Sequence, residues 1–251
     1  LPRLGRAVAT AAVTCLPVGV IATFVIRGWP PLIDADNRAI RAATDITRER
    51  PAMFDALITW QEVFLPWHVY VAAIPFVYLV WRAGLRAHAI WGTATMLVGW
   101  NLGLQVKLIV QRARPEYDDP VSSAPGFSFP SGHAFNIAMA TTTILIMCWP
   151  LLRERSAAVR AGAVTFGAAL VVLTALDRVF LGVHFPSDVT AGALLALGLA
   201  FASWIGFSHG RPAPEPRRQH GVGGNGRASQ PHTSGGPHPS DGSSTAQPRR
   251  P

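Results

Sequence analysis

The chain has 251 residues, 49% of them hydrophobic and only 14% charged. A soluble globular domain carries about 25% charged residues, so this composition argues against a soluble fold. The net charge of +8 does not point to nucleic acid, because six arginines fall in a polar C-terminal tail and most others flank apolar runs, where arginine sets membrane topology.

Six runs are free of Lys, Arg, Asp and Glu: 7–26, 63–81, 87–106, 134–152, 161–176 and 189–207. A bilayer core about 30 Å thick needs roughly 20 apolar residues per helix, and lipid offers no partner to backbone polar groups, so each run reads as a spanning helix. The first run lacks a small-residue cleavage site and is long, which favours a retained helix over a signal sequence. No Met precedes Leu1, so the natural start can lie upstream. Residues 28–62 are too polar to span; their charges alternate in sign, and Ile33, Ile40 and Ile46 recur at roughly helical intervals, which predicts one or two short interfacial helices without a catalytic residue. Pro66 and Pro75 read as tolerated kinks in the second span. The fifth run reaches spanning length if it starts near Ser156 and Arg160 reaches back to the interface. Cys15 and Cys148 lie inside predicted spans and read as packing residues, with no metal-binding spacing. His68 and His88 read as interfacial or packed side chains. Residues 208–251, rich in Pro, Gly, Ser and Arg, cannot bury enough surface to order themselves and read as a disordered tail after a membrane domain at 1–207. The short connections 82–86 and 153–160 are arginine-rich, which places them, with the tail, in the cytoplasm. The connections 27–62, 107–133 and 177–188 then share the opposite side.

Those last two connections carry most of the chemistry. Lys107 is the only lysine among 22 basic residues. It lies seven positions before Arg114, a spacing that puts both cations on one helical face if the third span continues to Pro115. Pro130-Ser131-Gly132-His133 precedes the fourth span. A helix start with a serine cap, free N–H groups and a glycine that admits close approach makes an anion site. His133 is not explained by capping. Arg178 offers a planar fork of donors suited to phosphate oxygens. Asp188, four residues after His184, can orient that imidazole and leave its other nitrogen free to attack. Asp188 also suits a first helical turn, and Ser187 reads as a helix cap.

The segments KLIVQRARP (107–115), FPSGH (129–133) and DRVFLGVHFPSD (177–188) resemble the type 2 phosphatidic acid phosphatase family, in the superfamily that also holds the vanadium-dependent haloperoxidases. That family's pattern is K-x6-R-P, P-S-G-H and S-R-x5-H-x3-D. The motifs cover residues 107–188, and the hydrophobic layout extends the likeness to about residue 207. Asp177 departs from the usual serine, and pairing with Arg178 is one role open to it.

The resemblance implies an all-α integral membrane bundle of six transmembrane helices. It implies a lipid phosphate phosphatase in which Lys107, Arg114, Arg178, Ser131 and Gly132 bind phosphate. His184 would attack phosphorus, Asp188 would orient it, and His133 would serve as acid and then base. No cofactor or metal is expected, since three cations stand where magnesium acts in other phosphoryl-transfer sites. The expected partners are the bilayer and a lipid phosphate substrate, with polyprenyl diphosphate, phosphatidic acid and phosphatidylglycerol phosphate all fitting. A lipid phosphotransferase with the same site and a non-enzymatic lipid-phosphate transporter are the alternatives. Six spans argue against a haloperoxidase.

Overall fold

The computed structural model describes residues 2–117 and 120–208. They form eight helices: α1 (Pro2–Ile26), α2 (Pro30–Arg48), α3 (Pro51–Val63), α4 (Pro66–Arg82), α5 (Arg86–Val110), α6 (Gly132–Leu152), α7 (Ala157–Phe180) and α8 (Pro186–Ser208), with no strand among the described residues. Five helices are long and apolar enough to cross a bilayer, and α3 with α4, bent by 57° at their break, pass the same test together, which gives six if the pair is one span. The protein is an all-α, multi-pass integral membrane protein. From residue 209 on, the tail lies outside the described residues.

Local chemistry sets the helix starts. Proline opens α1, α2, α3, α4 and α8, because a missing N–H costs nothing in a first turn and the fixed φ suits it. The same effect corrects the second predicted span. The helix does not run straight through Pro66; Leu65 is extended (φ −51°, ψ 139°), and the 17-residue α4 begins afresh at Pro66. The fifth span starts where expected, with Ser156 as N-cap accepting from the Val159 N–H at 3.4 Å. Arg160 turns back to donate to the carbonyls of Arg155 (2.7 Å) and Arg153 (3.2 Å) in the preceding turn. The polar segment 28–62 forms two helices, α2 and α3.

Helix α6 is the hub, packing against α4, α5, α7 and α8, while α1 lies along α8. Phe135, Ala138 and Met139 of α6 interdigitate with Ala191, Leu195, Ala196 and Ala200 of α8 and with Val18 of α1. Small residues let the helices approach closely, as is usual where lipid removes the hydrophobic drive. At Gly192 a Cβ would sit 2.7 Å from the Ser131 carbonyl oxygen, so the start of α8 passes against the start of α6 only because that position is bare. Outward faces are apolar: Ile109 is 75% exposed and Phe166 66%, as a lipid-facing surface requires.

Helix α2 has a different position. Its buried stripe of Asp36, Ile40, Ala43, Thr44 and Thr47 packs on the turn between α7 and α8. Thr47 donates to the Phe180 carbonyl at 2.9 Å, and a Cβ at Gly182, whose φ is +73°, would strike the Thr44 methyl. The helix read as interfacial is a clamp on the turn that carries His184.

Candidate active site

The three motifs converge through backbone contacts. The Ser131 N–H donates to the Asp188 carbonyl at 3.0 Å, which locks the start of α6 to the start of α8. The Ser128 N–H and hydroxyl bond the carbonyls of Arg112 (2.8 Å) and Ala113 (2.9 Å), which hold the segment after α5 beside the PSGH turn.

Lys107 occupies the last turn of α5, where its Nζ donates to the Phe127 carbonyl at 2.6 Å. Arg114 is not on the same helical face. The helix ends at Val110, and Gln111 takes a left-handed conformation (φ 50°) that turns the chain away. Arg114 therefore reaches the site from an irregular segment. Its Nε donates to the carbonyls of Gly126 (3.0 Å) and Pro125 (3.2 Å), and its Nη1 reaches the Val183 carbonyl (2.8 Å) and His184 Nε2 (3.2 Å).

That last contact assigns the imidazole. Arginine only donates, so Nε2 accepts and carries the lone pair, and the proton of the neutral ring sits on Nδ1. Nδ1 faces Asp188 Oδ2 at 3.6 Å, an ion-pair distance slightly longer than a hydrogen bond. His184 is 3% exposed, and this burial pushes its pKa down to about 4 even though the Asp188 carboxylate pulls the other way. The ring is thus neutral at pH 7, with its free nitrogen turned toward a guanidinium.

His133, in the first turn of α6, is within electrostatic reach of Arg178, His184, Arg114 and Lys107. Its Nε2 is buried without a protein partner, and so is Ser131 Oγ. Ser131 stands at the N-cap but its side chain makes no capping bond, which corrects the serine-cap expectation. A Cβ at Gly132 would point into open space. Buried polar atoms normally find partners, so this corner of the site is built to receive a polar group.

Arg178 is the largest fully buried side chain among the described residues. Its Nε and Nη2 both donate to Asp177 Oδ2, at 2.7 and 2.5 Å, and Nη1 donates to Gln61 Oε1 at 2.8 Å. The aspartate in place of the family's serine therefore grips the guanidinium, the pairing that was open to it.

Ser187 is a second correction. Rather than capping α8, its N–H and hydroxyl bond Asp36, at 3.0 and 2.5 Å. The capping role falls to Asp188, whose Oδ2 accepts from the Phe185 N–H at 3.0 Å. Asp36, Gln61 and Arg112 were not legible as site residues. Two belong to the segment expected to hold no catalytic residue, and both act by holding other side chains. One signal was present: Asp36 falls within the apolar stripe Ile33, Ile40, Ala43, Thr44 at helical spacing, where a carboxylate needs a buried partner.

The chain was compared with known proteins in sequence and in fold. The chain is 33% identical over 140 residues to phosphatidylglycerophosphatase B of Bacillus subtilis (strain 168), covering 55% of this chain and 64% of that protein. It is 32% identical over 105 residues to decaprenylphosphoryl-5-phosphoribose phosphatase of Mycobacterium tuberculosis (strain ATCC 25618 / H37Rv), covering 41% of this chain and 51% of that one. The chain thus spans between half and two thirds of the length of these curated relatives. The fold matches the crystal structure of a transmembrane PAP2-type phosphatidylglycerolphosphate phosphatase from Bacillus subtilis with a TM-score of 0.67 and 21% identity, over 78% of this chain and 96% of that one. The model of the PAP2 superfamily matches residues 4–209, which is nearly all of the chain outside the tail, and the protein belongs to that superfamily.

Proposed function

We propose that this protein is a membrane lipid-phosphate phosphatase that works through a phosphohistidine. The observation that carries the reading is the state of His184: a neutral ring whose Nε2 lone pair points at Arg114 while Nδ1 faces a buried carboxylate. The phosphoryl group lies among Lys107, Arg114, Arg178 and the Ser131–Gly132 backbone, which stabilise charge on its equatorial oxygens. Nε2 forms a bond to phosphorus as the P–O bond to the leaving group breaks, and His133 delivers a proton to that oxygen. His133 then takes a proton from water, whose oxygen attacks phosphorus. The P–N bond breaks and His184 returns to the neutral ring. Asp188 holds the tautomer and balances the positive charge that the ring carries in the intermediate.

A long-chain substrate is supported by a groove of about 940 Å³ between α4, α6 and α7. Its walls are apolar, including Phe64, Val69, Ile137, Ile144, Phe166 and Leu170. Ile137, one helical turn from His133 on α6, lines its wall. The relatives named above act on phosphatidylglycerophosphate and on a decaprenyl-linked phosphate, and lipids of these two classes are the first substrates to try. Arginine bias in the short loops supports an extracytoplasmic site and a cytoplasmic tail.

The test is phosphate release from a panel of lipid mono- and diphosphates by purified protein in detergent, with chelator present and with vanadate as inhibitor. Activity should survive the chelator, vanadate should compete with substrate, and His184→Ala should abolish both turnover and the covalent adduct. His133→Ala should slow lipid substrates about 10²–10⁴-fold, as lost acid–base catalysis does. It should slow an aryl phosphate less, because a phenolate leaves with little protonation, and it should accumulate phosphohistidine. An acid-labile adduct that maps to His133 would reverse the two roles. Product that forms only with an added acceptor alcohol would make the protein a phosphotransferase.

A further inference from the structure

We propose that Arg112 and Asp36 are positioning residues for the proposed nucleophile, joined to it through Asp188; this rests on the reading of His184 given above. Arg112 Nη1 donates to Asp188 Oδ1 at 2.7 Å, and Nη2 donates to Asp36 Oδ2 at 2.8 Å. Nη1 also reaches Ser187 Oγ at 2.7 Å, and the guanidinium lies over the Phe185 ring at 4.0 Å. The three charged side chains are 8% (Arg112), 3% (Asp36) and 0% (Asp188) exposed. One arginine thus bridges two buried carboxylates, one on the helix that clamps the catalytic turn and one beside His184.

The division of Asp188 between its oxygens gives the function. Oδ1 is taken by Arg112, so the carboxylate does not rotate, and Oδ2 is left for the Phe185 N–H and for His184 Nδ1. The charges matter as well. Two carboxylates and one guanidinium leave one net negative charge beside the ring, which is what a phosphorylated imidazolium needs. Without Arg112, the two buried carboxylates lose their shared partner and Asp188 Oδ1 is no longer held. Without the charge on Asp36, Arg112 cancels Asp188 and the ring loses its counter-ion. Both Nη atoms of Arg112 are engaged by Asp36, Asp188 and Ser187. Lysine is a point charge and does not make this fork.

Neither residue is reached from the family's motifs. Arg112 lies between the motif's Lys107 and Arg114, at a position where the pattern specifies nothing. Asp36 comes from α2, which Thr44, Thr47 and Ile40 fix on the turn that carries His184.

The experiment compares Arg112→Gln, Arg112→Lys, Arg112→Ala and Asp36→Asn with His184→Ala in the purified full chain. It measures kcat, KM, vanadate inhibition and thermal midpoint. Arg112→Gln and Asp36→Asn should lower kcat by about 10- to 100-fold, as loss of a partner that orients an active group does. KM and the vanadate inhibition constant should stay as in the wild type, because Lys107, Arg114 and Arg178 are untouched. Arg112→Lys should keep the fold without recovering full turnover, and added guanidinium ion should raise kcat of Arg112→Ala. If Arg112→Gln does not fold, the near-isosteric Asp36→Asn decides. Wild-type kcat in Asp36→Asn, or a loss of turnover matched by equal weakening of vanadate inhibition, would overturn the relay while His184→Ala stays inactive. Turnover surviving in His184→Ala would instead remove the nucleophile on which the relay rests.

Discussion

At the scale of residues, the site is held by second partners. Every proposed phosphate-binding cation has protein acceptors: Phe127 for Lys107, Pro125, Gly126 and Val183 for Arg114, and Asp177 with Gln61 for Arg178. Breaking a buried ion pair from one side costs about 3–5 kcal/mol because a charge is left uncompensated. Asp177→Ser, which restores the family's usual residue, should therefore lower the thermal midpoint clearly. Saturating vanadate should recover part of the loss, since an anion then faces Arg178; a melting curve with and without vanadate checks this. His184 gives a pH prediction. Its folded pKa, about 4, is below the ordinary 6.5, so the unfolded chain binds the proton more readily. The ring's contribution to stability is present above pH 6.5 and is lost as pH falls toward 4. Thermal midpoints between pH 7.5 and 4.5 should fall more steeply for wild type than for His184→Gln. Equal slopes would show that the ring does not titrate in that window.

At the scale of elements, the site depends on where two helix starts meet. Gly192 brings α8 against the Ser131 carbonyl, and the Ser131 N–H donates to Asp188 across the same junction. A Cβ at position 192 has only backbone as its neighbour there, and backbone does not move aside as a flexible side chain does. Gly192→Ala should cost about 1–3 kcal/mol, the usual range for overpacking. It should lower kcat as well, because His133 and Asp188 sit on the two helices that must separate. Urea or thermal unfolding with parallel turnover measurements tests this, and an unchanged kcat would show that the junction tolerates the shift. Elements also show where sequence reading worked. Charge-free runs gave the spans within a few residues, and the proline that starts α4 at Pro66 was read as a kink instead. The end of α5 was misread, because no local signal at Gln111 announces a left-handed residue; glycine is the usual occupant of that conformation, and glutamine there is held by its surroundings.

At the scale of the whole molecule, the proposed sidedness rests on six spans and on the arginine content of the short loops. Ser123 and Ser156 are both exposed and lie in connections of opposite type. Single cysteines at these positions, after replacement of Cys15 and Cys148, should label oppositely with an impermeant thiol reagent in intact cells. Ser123→Cys should react and Ser156→Cys should not. The reverse pattern would move the site, and the leaflet of its substrate, to the cytoplasmic side.

The amino-acid sequence by itself determined the class of the protein, its spans and the residues of its three motifs. These are properties of hydropathy, of proline and glycine chemistry and of short internal spacings, all of which act within one turn or one span. Tertiary structure alone decided how the motifs are supported. Asp36 lies 152 residues before Asp188, and Gln61 lies 117 before Arg178. Local sequence marks Asp36 only by its place in the apolar stripe of α2, and it does not say which partner either residue has. Their roles arise because burial near the α7–α8 turn removes water, and a buried carboxylate or guanidinium then requires a partner, wherever in the chain that partner lies.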